Sequence, residues 1–174
     1  MKIGQFQVYT GNGKGKTTAS LGLVLRASGA GMKVYFCQFI KEGEFSEIKA
    51  LRQLPNVTVE QFGSGKGLLI RRDAENIDRE CARAGLEKVT SALTSGAYDL
   101  VIADEINCAL MCGLLTEQEL LDLADKRPEG TELVFTGRGA TQAILDKADL
   151  ATEMHLIKHY FADKKLPARV GIEK

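Results

Sequence analysis

The sequence feature that most constrains the fold is a glycine-rich loop at residues 10–18, which follows directly on the apolar run 6–9. The loop reads Thr-Gly-Asn-Gly-Lys-Gly-Lys-Thr-Thr. Alternate glycines let the backbone adopt positive φ, so that successive N–H groups turn toward a polyanion at a helix N-terminus. Lys16 adds a positive charge, and the Thr17 hydroxyl is a ligand for Mg²⁺. The stretch therefore predicts a strand, a phosphate-binding turn and a helix in succession.

One position departs from the common phosphate-loop pattern, G-x-x-x-x-G-K-[ST]. The first glycine of that pattern would fall at Thr10. The alternative interpretation is a glycine-rich strand-to-helix turn that binds nothing, and the Gly-Lys-Thr sequence at the helix start argues against it. We therefore expect a nucleoside triphosphate with Mg²⁺.

A second informative stretch is the apolar run 98–105, which ends in the paired carboxylates Asp104 and Glu105. In nucleotide-binding folds of this type we expect such a strand to lie beside the first strand, with its terminal acid at the Mg²⁺ or its waters. One carboxylate would bind the metal while the other orders water. The alternative is an acidic strand end that caps the following turn, and the metal requirement of the phosphate loop favours the first interpretation.

Apolar runs alternate with amphipathic stretches along the whole chain. Strands are predicted at 6–9, 33–40, 57–62, 98–105, 133–136 and 153–158, and helices at 19–27, 46–54, 77–93, 109–111, 116–126 and 141–147. This alternation indicates an α/β fold of the P-loop NTPase-like, three-layer type, with a mostly parallel sheet of five or six strands. We expect a single domain over residues 1–174, with the polar tail 159–174 folding near the site. His159 in this tail is a possible base, although a lone histidine is more often an ordinary surface residue.

Composition excludes several classes of partner. The chain has 23 basic and 23 acidic residues, so no global field attracts it to nucleic acid or to a membrane surface. Its first residues lack a signal-peptide core, and no apolar run reaches the length of a membrane span, which predicts a cytoplasmic protein. The cysteines form no C-x-x-C pair and are interpreted as small buried apolar residues: Cys37, Cys81, Cys108 and Cys112.

Two further stretches allow a functional and a structural interpretation. Residues 63–67 form a second glycine-rich loop that carries Lys66 and precedes Leu68 and Leu69. A mobile substrate loop and a plain connection are equally consistent with it. Arg138 lies in a Gly-Arg-Gly sequence after a predicted strand, at the sheet edge where open α/β folds bind ligands. It is expected to contact a phosphate or an acidic side chain, and a structural ion pair is nearly as consistent.

Five segments together resemble the corrinoid adenosyltransferases of the CobA type, also called ATP:cob(I)alamin adenosyltransferases. They are residues 10–18, 38–41, 104–105, 136–139 and the terminal motif 158–173. The resemblance implies transfer of the 5′-deoxyadenosyl group of ATP to the cobalt of a reduced corrinoid, with triphosphate as the leaving group. It also implies that the triphosphate lies on the loop in the reverse of its usual orientation. Co(I) is a strong nucleophile, so no general base is required.

The resemblance also assigns roles to individual residues. Lys16 and Glu105 would be catalytic, and Thr17 and Glu105 would hold Mg²⁺ with Asp104 in support. Further candidates for the corrinoid or for site loops are Lys41, Lys66, Leu68, Leu69 and Arg138. The triphosphate would be bound by Gly11, Asn12, Gly13, Lys14, Gly15, Lys16, Thr17 and Thr18. The implied partners are an electron donor, such as a flavoprotein reductase, and a second copy in a homodimer.

This sequence departs from the family in the second glycine-rich loop. Family members place aromatic residues there, including a tryptophan, to displace the lower axial ligand of the corrinoid, and this chain has no tryptophan. Leu68, Leu69 and Ile70 are our hypothesis for an apolar face with the same task. One alternative function is a P-loop ATPase or small-molecule kinase with conventional phosphate transfer, and another is a non-catalytic nucleotide-binding module. Analysis of the products distinguishes the three, since they yield triphosphate, ADP or unchanged ATP.

Overall fold

The computed structural model describes residues 3–67 and 72–173. The strands in these ranges are β1 (Phe6–Thr10), β2 (Val34–Phe39), β3 (Val57–Phe62), β4 (Leu100–Asp104), β5 (Glu132–Thr136) and β6 (Leu150–Glu153). The helices are α1 (Lys16–Gly29), α2 (Ser46–Leu51), α3 (Asn76–Thr94), α4 (Ile106–Met111), α5 (Glu117–Asp125), α6 (Gln142–Lys147) and α7 (Tyr160–Lys164). None of these helices combines the length and apolar character that a membrane crossing requires.

The strands form one parallel sheet in the order β3-β2-β4-β5-β1-β6. β2, β4 and β5 are buried nearly throughout, which explains their almost continuous apolar sequences. The predicted α/β architecture with five or six mostly parallel strands is confirmed. The prediction that the acidic strand lies beside β1 is wrong, because β5 pairs with both β1 and β4 and separates them.

Helices cover both faces of the sheet and produce three layers. On one face, Val24 of α1 and Ile48 of α2 pack against Phe36 and Ile102. On the other face, buried side chains from α3, α4, α5 and α6 pack against the strand residues with the opposite orientation, such as Val101. Because successive strand side chains point to opposite faces, each buried strand supplies both clusters. The carboxyl ends of β1, β4 and β5 therefore meet at one edge of a rigid core.

The predicted last strand, 153–158, is misplaced. β6 instead covers Leu150–Glu153, where Leu150 pairs with Gln7 and Glu153 pairs with Thr10. Beyond Thr10 the neighbouring strand β1 turns into the glycine-rich loop, so there is no further strand for residues 154–158 to pair with. Ile157, whose apolar side chain favoured the strand, is 96% exposed.

Candidate active site

The glycine-rich loop connects β1 to α1 and is shaped by its own lysine. Gly11 has φ 94° and Gly15, the N-cap of α1, has φ 121°, a region that favours glycine. The Lys16 ammonium donates to the carbonyl oxygens of Gly11 at 2.8 Å and Gly13 at 2.7 Å. Lys16 is only 8% exposed, and burial lowers its pKa. The side chain therefore holds a positive charge at the centre of the loop, next to the free N–H groups of a helix N-terminus.

The end of β6 supports the loop from behind. The Met154 N–H donates to the Thr10 carbonyl at 2.9 Å, and the Gly13 N–H donates to the Met154 carbonyl at 2.6 Å. A Cβ on Gly13 would lie 2.6 Å from that same carbonyl oxygen. Gly13 is therefore required by a close backbone approach, a constraint that the phosphate-loop pattern alone does not contain.

Asp104, the last residue of β4, is fully buried and receives three hydrogen bonds. The Thr136 hydroxyl donates at 2.6 Å, the Gln38 amide at 3.0 Å and the Thr17 hydroxyl at 3.3 Å. Burial raises the pKa of Asp104, and the charge of Lys41 together with these hydrogen bonds opposes the rise. The network joins the ends of β2, β4 and β5 to the first turn of α1.

Glu105 has a different environment, although it follows Asp104 directly. It has the left-handed conformation, with φ 62°, at the junction of β4 and α4. Its carboxylate forms an ion pair with Lys41 at 2.9 Å and accepts from the Cys108 thiol at 2.8 Å. Burial raises the pKa of Glu105. The charge of Lys41 and the hydrogen bond from Cys108 lower this pKa by more than burial raises it, so the net shift is downward. Glu105 is thus an ionised carboxylate at the cleft.

The donor set near α1 suits Mg²⁺. Thr17, Asp104 and Glu105 offer oxygen atoms, which this hard cation prefers, and Mg²⁺ commonly takes few protein ligands together with substrate phosphates. Among residues 3–67 and 72–173, no cluster of three or more His, Cys, Asp and Glu side chains is suited to a metal ion. A metal at this edge would therefore share its coordination with hydroxyl, water and phosphate oxygens.

A cleft of about 520 Å³ opens above the loop. It brings together predicted site residues from four parts of the chain: residues 12–18, Lys41, Glu105 and Arg138. Gly11 and Asp104 lie beneath this surface, in contact with Lys16 and Thr17. The cleft also includes three residues that the sequence analysis did not place there, Leu21, Ser46 and Glu47. Four more come from the C-terminal tail, which the sequence analysis expected near the site: His159, Gly171, Ile172 and Glu173.

Residues 63–67 of the second glycine-rich loop do not line this cleft, although Gly63 packs against the backbone of Lys41, which does. Lys66 pairs with Glu75 at 2.6 Å, and Ser64 donates to the buried Asp78 carboxylate. Arg72 donates to both oxygens of Asp78 at 2.7 Å, which lowers the pKa of that carboxyl. Lys66 is therefore held in an ion pair outside the lining of the cleft. Leu68, Leu69 and Ile70, the hypothesised apolar face, lie outside the described residues.

Sequence reasoning missed the residues that support the carboxylates. Gln38 and Thr136 lie in segments that carried the family resemblance, but their contacts with Asp104 were not predicted. Each is a polar side chain at the carboxyl end of a buried strand, and this position could have indicated a role at the site. Cys108 was interpreted as a small buried apolar residue, but its thiol donates to Glu105 and its sulfur accepts from the Arg138 N–H at 3.2 Å. The helical spacing of Glu105 and Cys108 could have indicated this contact.

Comparison with known proteins identifies a family. A family model described as ATP:corrinoid adenosyltransferase BtuR/CobO/CobP matches residues 2–173. The corrinoid adenosyltransferase of Pseudomonas aeruginosa is 36% identical over 171 residues, which cover 98% of this chain and 83% of the relative. That of Escherichia coli is 32% identical over 168 residues, covering 95% and 83%. The chain spans about half, 48%, of an uncharacterised Nostoc protein that is 36% identical to it.

These matches confirm the resemblance inferred from the five sequence segments and favour adenosyl transfer over conventional phosphate transfer. Since the match extends over nearly the whole chain and includes every element that builds the cleft, the chain belongs to the ATP:corrinoid adenosyltransferase family.

Proposed function

We propose that this protein transfers the 5′-deoxyadenosyl group of ATP to the cobalt of a reduced cob(I)alamin-type corrinoid and releases triphosphate. The observation that carries the proposal is the arrangement at the cleft. The buried Lys16 and the ionised Glu105 line the same cleft, and Lys41 pairs with Glu105. The buried Asp104 accepts hydrogen bonds from the hydroxyl groups of Thr17 and Thr136. Family membership supplies the reaction, and this arrangement suits a polyphosphate leaving group.

In the proposed step, Co(I) provides the electron pair for a new Co–C5′ bond. The bond between C5′ and the triphosphate oxygen breaks, and its electron pair remains on the triphosphate. Negative charge therefore accumulates on the leaving group, close to the Lys16 ammonium, which the carbonyl oxygens of Gly11 and Gly13 already hold in place. Because this donor is held in place before reaction, little reorganisation is needed when the charge develops.

We assign triphosphate binding to the loop residues Gly11, Asn12, Gly13, Lys14, Gly15, Lys16, Thr17 and Thr18. Thr17, Asp104 and Glu105 would hold Mg²⁺, which supplies electrostatic stabilisation of the phosphate charge when bound. Glu105 is exposed to the cleft and ionised, so it is the stronger direct ligand, whereas Asp104 is buried and suits a supporting role. Lys41 orients Glu105, and Arg138 adds a further cation to the cleft.

We further propose the partners that the reaction requires. Corrinoids present cobalt as Co(II) or Co(III) after oxidation, so an electron donor such as a flavoprotein reductase would supply Co(I). A cytoplasmic homodimer is the expected assembly. Lys41 and Arg138 remain candidates for contacting the corrinoid. Leu68 and Leu69 remain candidates for the apolar face that displaces its lower axial ligand.

The test of the proposal is product analysis. The protein is incubated anaerobically with Mg-ATP and chemically reduced cob(I)alamin, the corrinoid spectrum is followed, and triphosphate is assayed. The expected result is light-sensitive adenosylcobalamin with one triphosphate for each adenosyl group transferred. ADP and phosphate with an unchanged corrinoid spectrum would contradict the proposal and favour conventional phosphate transfer.

A further inference from the structure

The cleft has a second wall that differs from the phosphate side in its chemistry. Lys16, Lys41 and Arg138 place three cationic side chains around the phosphate loop. The C-terminal segment, residues 159–173, forms the second wall through His159, Gly171, Ile172 and Glu173. Ile172 is 56% exposed although it is apolar. An apolar side chain and an imidazole in the same lining suit a nucleoside better than a phosphate.

An internal ion pair shapes the C-terminal segment and neutralises its wall. Glu173 accepts from the Arg169 backbone N–H at 2.8 Å, from the Arg169 guanidinium at 3.0 Å and from the Tyr160 hydroxyl. The same guanidinium lies 5.1 Å from the centre of the Tyr160 ring. These contacts join the two ends of the segment. They also engage the Arg169 charge, so this wall presents no free arginine to a phosphate.

His159 has one defined tautomer in this wall. The Phe161 N–H donates to His159 Nδ1 at 3.0 Å, so Nδ1 is unprotonated and the neutral imidazole carries its hydrogen on Nε2. The ring also contacts the Tyr160 ring, with centres 4.8 Å apart. Within the described part of the chain, no protein group accepts a hydrogen bond from Nε2. His159 therefore contributes an oriented donor that the described residues leave unused.

We propose that His159 donates the Nε2 hydrogen to the nucleoside portion of ATP, with Ile172 contacting the same portion. This inference rests on the proposed function, because that function identifies the ligand as ATP. His159 is then a residue that binds the transferred adenosyl group rather than the leaving triphosphate. The nucleoside would be held by the C-terminal segment while the phosphates are held by the loop, which leaves C5′ between the two walls.

The test separates the two parts of the substrate. Binding of Mg-ATP and of inorganic triphosphate with Mg²⁺ is measured by calorimetry, without corrinoid, for the wild type and His159→Asn. Asparagine is a good N-cap, so it preserves the start of α7, but it is too short to replace the Nε2 donor. We expect about tenfold weaker binding of ATP, which corresponds to one hydrogen bond, and unchanged binding of triphosphate.

The chain offers a matched control, His155→Asn. His155 is the other histidine, its side chain is 73% exposed, and it contacts Glu153 outside the cleft lining. The His155→Asn variant should bind Mg-ATP and triphosphate with the affinities of the wild type. Equal weakening of ATP and triphosphate by His159→Asn, or no weakening of either, would overturn the inference. A wild type that binds neither ligand would instead overturn the proposed function, so the two failures are distinguishable.

Discussion

Replacing Lys16 with methionine tests the charge at the centre of the phosphate loop. Lys16 is 8% exposed and its ammonium is held by two carbonyl oxygens at 2.7–2.8 Å, so its interaction with a bound phosphate is screened less than at the surface. At about 4 Å and an effective dielectric constant of about 20, one additional unit of negative charge is stabilised by about 4 kcal/mol. Removing a single preoriented donor to a developing oxyanion costs about 2.7–4 kcal/mol in known enzymes.

We therefore expect Lys16→Met to lower kcat by a factor of about 10² to 10³, since each 1.4 kcal/mol corresponds to about tenfold in rate. Turnover is measured with reduced cob(I)alamin at saturating Mg-ATP, which separates the rate effect from weaker ATP binding. Lys14→Met is the matched control, because Lys14 lies in the same loop but is exposed to solvent. At a dielectric constant of about 80, the same charge contributes about 1 kcal/mol, and kcat should fall about fivefold at most.

The two lysines thus make the prediction refutable. If Lys16→Met keeps kcat within about threefold of the wild type at saturating ATP, charge stabilisation by Lys16 is not part of the chemical step. If both variants lose the same large factor, the effect is the net charge of the loop, and the argument from burial is wrong.

Three further variants test the site and its support. Asp78→Asn should lower the free energy of unfolding by about 2 kcal/mol at neutral pH. Because hydrogen bonds from its guanidinium partner lower the pKa of Asp78, this stabilisation is complete above the unfolded pKa of about 3.9 and is lost as the pH falls toward the folded pKa. Urea unfolding at several pH values should therefore show the two proteins converging in acid. Gly137→Ala places a Cβ 2.8 Å from the Cys108 nitrogen at φ 126° and should lower Tm by about 5–10 °C, whereas Gly31→Ala, with open space, should lower it by less than half as much. Glu105→Gln should raise the Mg²⁺ concentration needed for half-maximal ATP binding about tenfold, and an unchanged requirement would argue against its role as a ligand.

Local patterns in the sequence were sufficient for the elements that act independently of distant residues. The loop 10–18 predicted the order of β1, turn and α1, because glycine spacing and a helix start are properties of adjacent residues. The buried strands were recognisable from apolar runs and the helices from amphipathic spacing. β6 was misplaced because an apolar sequence indicates a strand only where a partner strand is available, and β1 ends at Thr10.

The tertiary structure decided which residues meet at the site. The sequence alone determined that a phosphate loop and a pair of acids exist, since each is written in consecutive residues. It did not determine that β5 separates β4 from β1, and this strand order is what brings Thr136 to Asp104 across 32 positions of sequence. The sequence analysis expected the C-terminal tail near the site, but it did not determine which residues of the tail line the cleft. Strand order and long-range packing depend on the summed burial of the whole sheet, and no short stretch of sequence contains that information.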